Sequence, residues 1–170
     1  MKSNEPEYRP LNKEGKMEKK NTHQEECPSC ATLGAAIARE APREDRVLPH
    51  WPVQIRLIGT VAPFLQNADL MVAADCTAFA VRDFQGLRGD RKLLIGCPKL
   101  DNPQQYVEKF TEILRNIPIK SLTVLRMEVP CCGGMTGILT EAVRRSGVEI
   151  PLREVVIGVK GDVLGERELR

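Results

Sequence analysis

The sequence has 170 residues, 42% hydrophobic and 28% charged, with a formal net charge of +2. That is enough chain for one domain with a substantial core, too apolar for disorder throughout, and too nearly neutral to point to nucleic acid or an acidic membrane surface. No apolar run reaches the ~18 residues of a membrane span and the N-terminus lacks a signal-peptide core. The expected compartment is therefore the cytoplasm, where the six cysteines read as ligands or redox groups rather than as disulfides.

Residues 1–26 read as a disordered, charged tail. Twelve of the 26 are Lys, Arg, Glu or Asp, and Leu11 and two methionines are the only aliphatic residues, too little to offset the chain entropy of folding. Residues 27–170 read as a single domain. Cys27-Pro28-Ser29-Cys30 opens it with a metal-ligand or redox spacing. Ala31 to Glu40 suits a short Ala-rich helix, and the three prolines between Ala41 and Pro52 suit a loop, with Trp51 as a packing anchor near its end.

Val53 to Ile58 alternates and is expected to form a first, edge strand. One helical turn follows between Val61 and Asn67. Asp69 to Asp75, nearly all apolar, fits a strand covered on both faces. Thr77 to Val81 suits a short helix and Phe84 to Asp90 a Gly-rich loop. Lys92 to Gly96 is the third expected strand. Asp101 or Asn102 then caps a helix with Pro103 at its first position. Tyr106, Val107, Phe110, Ile113, Leu114 and Ile117 form its apolar stripe, and Pro118 stops it. The fourth strand runs from Leu122 to Val129. Met135, Ile138, Leu139, Ala142 and Val143 mark the helix after it, which ends near Ser146-Gly147. Glu154 to Val159 is the fifth strand, and the polar residues from Lys160 onward are expected to fray.

Alternating strands and helices predict an α/β domain. It would be a single open, mainly parallel sheet of about five strands with helices on both faces, Rossmann-like or flavodoxin-like in kind. No G-x-G-x-x-G follows the first strand, so a dinucleotide site is not supported, and Gly133, Gly134 and Gly137 match no phosphate-loop spacing.

Cys76, Cys97 and the Cys131-Cys132 pair each follow an expected strand. In a parallel sheet all three positions lie on the carboxyl rim, where open α/β folds build their sites. Cys131 and Cys132 also stand where a helix begins, where its dipole favours thiolate. Gly133 and Gly134 would let a bulky group approach the backbone. With Cys27 and Cys30 folded onto the same rim, a soft, all-thiolate site would result, suited to an iron–sulfur cluster, with zinc as the alternative. Acid–base chemistry has less support, since both histidines fall in expected loops. Arg126 and Glu128 share a face near the end of the fourth strand; an exposed salt bridge suits them better than tuning a cluster or binding an anion, and Asp75, Asp83 and Lys99 border the same rim.

Several stretches carry a resemblance. They are Leu48-Pro49-His50-Trp51-Pro52-Val53-Gln54, Ala62-Pro63-Phe64-Leu65, Ala68 through Cys76, Ile95-Gly96-Cys97-Pro98-Lys99-Leu100-Asp101, and Arg126 through Gly134. Together they resemble the C-terminal, cysteine-bearing domain of ferredoxin-like iron–sulfur proteins of anaerobic bacteria and archaea. Members of that family usually carry an N-terminal ferredoxin module with two four-cysteine motifs. No C-x-x-C-x-x-C-x-x-x-C-P run occurs in this sequence. The resemblance implies a cluster-binding domain matched at Cys27, Cys76, Cys97, Cys131 and Cys132, with Cys30 alongside, and no settled substrate. Cys131-Cys132-Gly133 is also similar to the Cys-Cys-Gly motif of heterodisulfide reductase subunits. The expected function is thus iron–sulfur cluster binding, of the [4Fe–4S] kind, with electron transfer to a redox protein partner. The alternatives are a thiol- or cluster-dependent reductase using Cys131 and Cys132, and a zinc-binding structural module.

Overall fold

The computed structural model describes residues 48 and 50–169, which belong to one compact unit spanning Pro42–Arg170. The expected tail, the Cys27–Cys30 motif and the Ala31–Glu40 helix lie outside the described residues. Five strands form one sheet: β1 (Asp69–Ala74), β2 (Lys92–Gly96), β3 (Ser121–Met127), β4 (Leu152–Ile157) and β5 (Val163–Leu169). Their spatial order is β2-β1-β3-β4-β5. The first four are parallel and β5 runs antiparallel to β4. Four helices connect them: α1 (Thr77–Ala80), α2 (Phe84–Arg88), α3 (Pro103–Asn116) and α4 (Pro130–Ser146). The α/β expectation, a mainly parallel five-stranded sheet with helices on both faces, matches this architecture.

The long helices form where the sequence signals them. Asn102 caps α3, its Oδ1 accepting from the Gln104 and Gln105 amides, and Pro103 takes the first position. Gly147, at φ +73°, ends α4 in the left-handed conformation that glycine adopts without a Cβ penalty. The apolar stripe of α3 and Met135, Ile138, Leu139 and Ala142 of α4 pack together over Leu70, Val72, Leu122 and Val124. The other sheet face presents Met71, Ala73, Leu125, Met127 and Val155, covered by Phe84 of α2 and partly buried Ala80, Val81 and Leu87. The β1–β2 crossover therefore lies on one face, and the β2–β3 and β3–β4 crossovers on the other. That change of face makes the gap between the ends of β1 and β3 a topological switch point, as the 2-1-3-4 order requires.

Four local expectations are corrected. Val53–Ile58 is not a strand but a 3-10 turn over Ile55–Leu57, flanked by a single bridge from Gln54 to Ile95. The segment still covers the outer edge of β2. Ile95 N donates to Val53 O at 2.8 Å, and Leu93 N donates to the His50 ring at 3.1 Å. Trp51 is 75% exposed, so it is no packing anchor among the described residues. Phe84–Asp90 contains α2 rather than only a loop, because Asp83 caps it through Gly86 N at 3.0 Å. Gly86 leaves room for that carboxylate, since a Cβ there would come within 2.8 Å of Asp83 Cγ. Finally, the polar stretch after Lys160 does not fray; it is β5.

Candidate functional site at the carboxyl rim

Three connections place thiols on the rim. After β1 the chain turns through Asp75 and Cys76 directly into α1. Thr77, fully buried, fixes that turn by donating its hydroxyl to Ala74 O at 2.7 Å. The Cys76 carbonyl accepts from Phe79 and Ala80, so its exposed side chain stands clear of the helix it opens. After β2, Cys97 begins a turn closed by Asp101 N donating to Cys97 O at 2.9 Å. Gly96 just before it must be small: a Cβ there would overlap the Tyr106 hydroxyl and lie 2.8 Å from Ile55 Cδ1. After β3, Pro130 starts α4, with Val129 at the cap position and no acidic residue in the first turn.

Cys131 and Cys132 thus sit inside the first turn of α4, and the two are not alike. Cys131 is exposed, whereas Cys132 is buried against the second-face core with Met127 and Ile157. The expectation that both ionise easily fails for Cys132. Burial pushes its thiol up; the Met127 backbone hydrogen bond opposes this, and Cys131 and Cys76 add to the upward shift. The same interactions link Cys76, Cys131 and Cys132 across the switch point. Cys97 is brought in from the other side, because Gly134 of α4 packs on Pro98, 3.5 Å from where its Cβ would be. Gly133 and Gly137 face open space, so the helix wall beside Cys131 has room for a group larger than a side chain. All four described thiols are free.

The polar groups of the rim have defined tasks. Asp101 accepts from the Tyr106 hydroxyl and from Arg56 at 3.2 Å; the tyrosine bond holds its carboxyl below the usual range. Burial and the Asp101 bond raise the Tyr106 phenol. Asp75 is raised by burial and by Asp101, and its Oδ1 is buried without a hydrogen-bond partner among the described residues. Arg126 does not pair with Glu128 or stand free for an anion. Its Nε binds buried Glu154 at 2.7 Å, and Glu128 accepts from Val159 N at 2.8 Å. Asp83 is committed to capping α2.

Among the described residues, no three His, Cys, Asp or Glu side chains stand close enough to chelate a metal ion, and no helix is long and apolar enough to cross a membrane. Cys27 and Cys30, two of the six expected site residues, lie outside the described residues. A cavity of about 470 Å³ opens at the opposite end of the strands, lined by Asp69, Ser121, Thr123 and Arg153 among others, and no cysteine borders it. What sequence reasoning missed is Tyr106. Its place in the apolar stripe marked it as core, and the spacing of Asp101 five residues before it was the one available sign of a polar role.

An "Uncharacterized protein" from Archaeoglobus fulgidus is 33% identical to this chain over 114 residues, which is 67% of this chain and 81% of the relative. No solved structure matches. A family model described as "Rossmann-like domain" matches residues 62–170, from the turn before β1 through β5, and the chain belongs to that family.

Proposed function

We propose that the chain holds an iron–sulfur cluster at the carboxyl rim of its sheet and exchanges single electrons with a protein partner. The observation that carries this reading is that Cys76, Cys97 and the Cys131-Cys132 pair follow three adjacent strands, β1, β2 and β3, around the switch point. The donors are all thiols, and thiolate is the ligand that iron–sulfur clusters take from proteins. The open space at Gly133 gives such a cluster room beside Cys131. When bound, the cluster would supply one-electron chemistry. The chain's part would be to hold the thiolates at the rim, shield Cys132 from water and leave Cys76 and Cys131 facing solvent.

The test is anaerobic purification or reconstitution of the full chain, with iron, sulfide and zinc measured per chain. Cys76 and Cys97 each stand alone at a strand end, so Cys76→Ser or Cys97→Ser is expected to abolish cluster retention, with circular dichroism confirming the fold. Full iron and sulfide in both variants would overturn the reading. Zinc without sulfide would turn it to a structural zinc module. The adjacency of two free thiols, Cys131 and Cys132, in the first turn of α4 supports a second reading, a thiol- or cluster-dependent reductase. A metal-free chain that reversibly oxidises that pair would establish it.

A further inference from the structure

We propose that the thiol-bearing rim is also the docking surface for an acidic protein electron carrier; the electron-transfer part of this rests on the cluster reading. Phe79 is 92% exposed, Leu100 84% and Val159 65%. Each lies in the connection that leaves a different parallel strand: Phe79 after β1, Leu100 after β2 and Val159 after β4. Large apolar side chains this exposed, set around one site, mark an interaction surface.

Packing brings these connections together. Gly161, at φ +89°, brings the β4–β5 turn against α1, where a Cβ would overlap the Ala80 carbonyl oxygen. Val159, in the β4–β5 turn, and Phe79, in α1, therefore belong to neighbouring segments. The Gly134–Pro98 contact sets the Leu100 turn beside the start of α4 and Cys131. Phe79, Leu100 and Val159, the first two of them the most exposed large apolar side chains among the described residues, thus lie in the connections that carry or adjoin the exposed thiols, while Trp51, Leu57 and Val61 are exposed elsewhere.

Charge decides the partner. Arg82, Lys99 and Lys160 lie in the same three connections, and their side chains take part in no ion pair or hydrogen bond among the described residues. Of the rim acids, Asp83 is committed to the α2 amide, Asp101 to Tyr106 and Arg56, and Glu128 to the Val159 amide; Asp75 is half-buried beside Cys76, and Asp162 is exposed in the β4–β5 turn, where its carbonyl accepts from Gly158. Uncommitted cations around an apolar centre attract an acidic surface and set its orientation, while the small apolar area keeps the complex short-lived. An acidic carrier docked here would face the exposed thiols, Cys76 and Cys131.

The experiment uses the reconstituted full chain, an acidic plant-type [2Fe–2S] ferredoxin as probe, and a basic c-type cytochrome as control. Affinity is measured by titration at low and moderate salt, with iron and sulfide assayed on every sample. The ferredoxin is expected to bind and to lose roughly tenfold or more in affinity as salt screens the cations. The Lys99→Glu/Lys160→Glu chain should lose about as much at low salt, and Phe79→Ser several-fold, with cluster content unchanged. Equal binding of ferredoxin and cytochrome, or parental affinity in the charge-reversal chain and in Arg82→Glu, would overturn the docking surface. A chain that binds the ferredoxin through these residues but holds no iron keeps the surface and removes the cluster reading. A chain that holds the cluster but shows no dependence on these residues does the reverse.

Discussion

Glu154 is 1% exposed and stays ionised because three groups converge on its two oxygens. Arg126 Nε and the Thr136 hydroxyl bind Oε1 at 2.7 and 2.6 Å, and Arg167 Nε binds Oε2 at 2.6 Å. Burial alone would raise this carboxyl; the hydrogen bonds from Arg126, Thr136 and Arg167 outweigh it and hold the pKa down to about 2. Its ordinary value is 4.5, so between the two pH values the unfolded chain binds the extra proton. The stabilisation is therefore complete above about pH 5 and is lost as pH falls toward 2, amounting to roughly 3 kcal/mol. Urea unfolding at pH 7 and pH 3 should show about 2 kcal/mol of that loss in the parent and a much flatter dependence in Glu154→Gln. An equally steep dependence in the variant would place the acid sensitivity elsewhere. None of this was legible from Arg126 and Glu128 standing two apart on one strand. The true partner sits on the next strand, and sequence proximity does not report which strands are neighbours.

At the scale of elements, legibility followed burial. Strands β1 to β4 and helices α3 and α4 are buried enough to leave a periodic pattern, and the sequence marks each to within a few residues. The Phe110 side chain at the centre of α3 is fully buried under the sheet. Phe110→Ala should cost ~3–5 kcal/mol in lost burial and residual cavity. Thermal or urea unfolding showing a change below ~0.5 kcal/mol would put that face in solvent. The elements that were misread have weak burial or a shifted phase. In Val53–Ile58 the buried positions are Val53, Ile55 and Ile58, because the 3-10 turn carries Leu57 outward; alternation through Leu57 imitates a strand. Strand β5 exposes nearly every residue, so it has no apolar face to betray it. Its Glu166-Arg167-Glu168 run is the charged sequence expected of an unpaired edge, and its Arg167 reaches back to Glu154, which ties it to β4.

On the scale of the whole molecule, the site depends on strand order, which no local pattern contains. Each thiol could be read as following a strand. That β1 lies between β2 and β3, and that the chain changes face there, is a property of the folded sheet. This is what sets Cys76 between Cys97 and the α4 thiols. The fold also separates two residues that adjacent positions made look interchangeable. Cys132 packs into the second-face core, so Cys132→Ser puts a hydroxyl among apolar groups and should cost the metal-free chain ~1–3 kcal/mol. Cys131 faces solvent, and Cys131→Ser should leave that stability within ~0.5 kcal/mol. Both should lose iron on reconstitution, but only at Cys131 would the loss report coordination without a packing change. Cys27→Ser and Cys30→Ser, outside the described residues, go through the same assay. Urea unfolding of each metal-free variant, paired with iron and sulfide per chain after reconstitution, separates these effects. Equal destabilisation by the two helix variants would show that Cys131 is packed rather than presented at the rim, and full iron in Cys131→Ser would remove it from the ligand set.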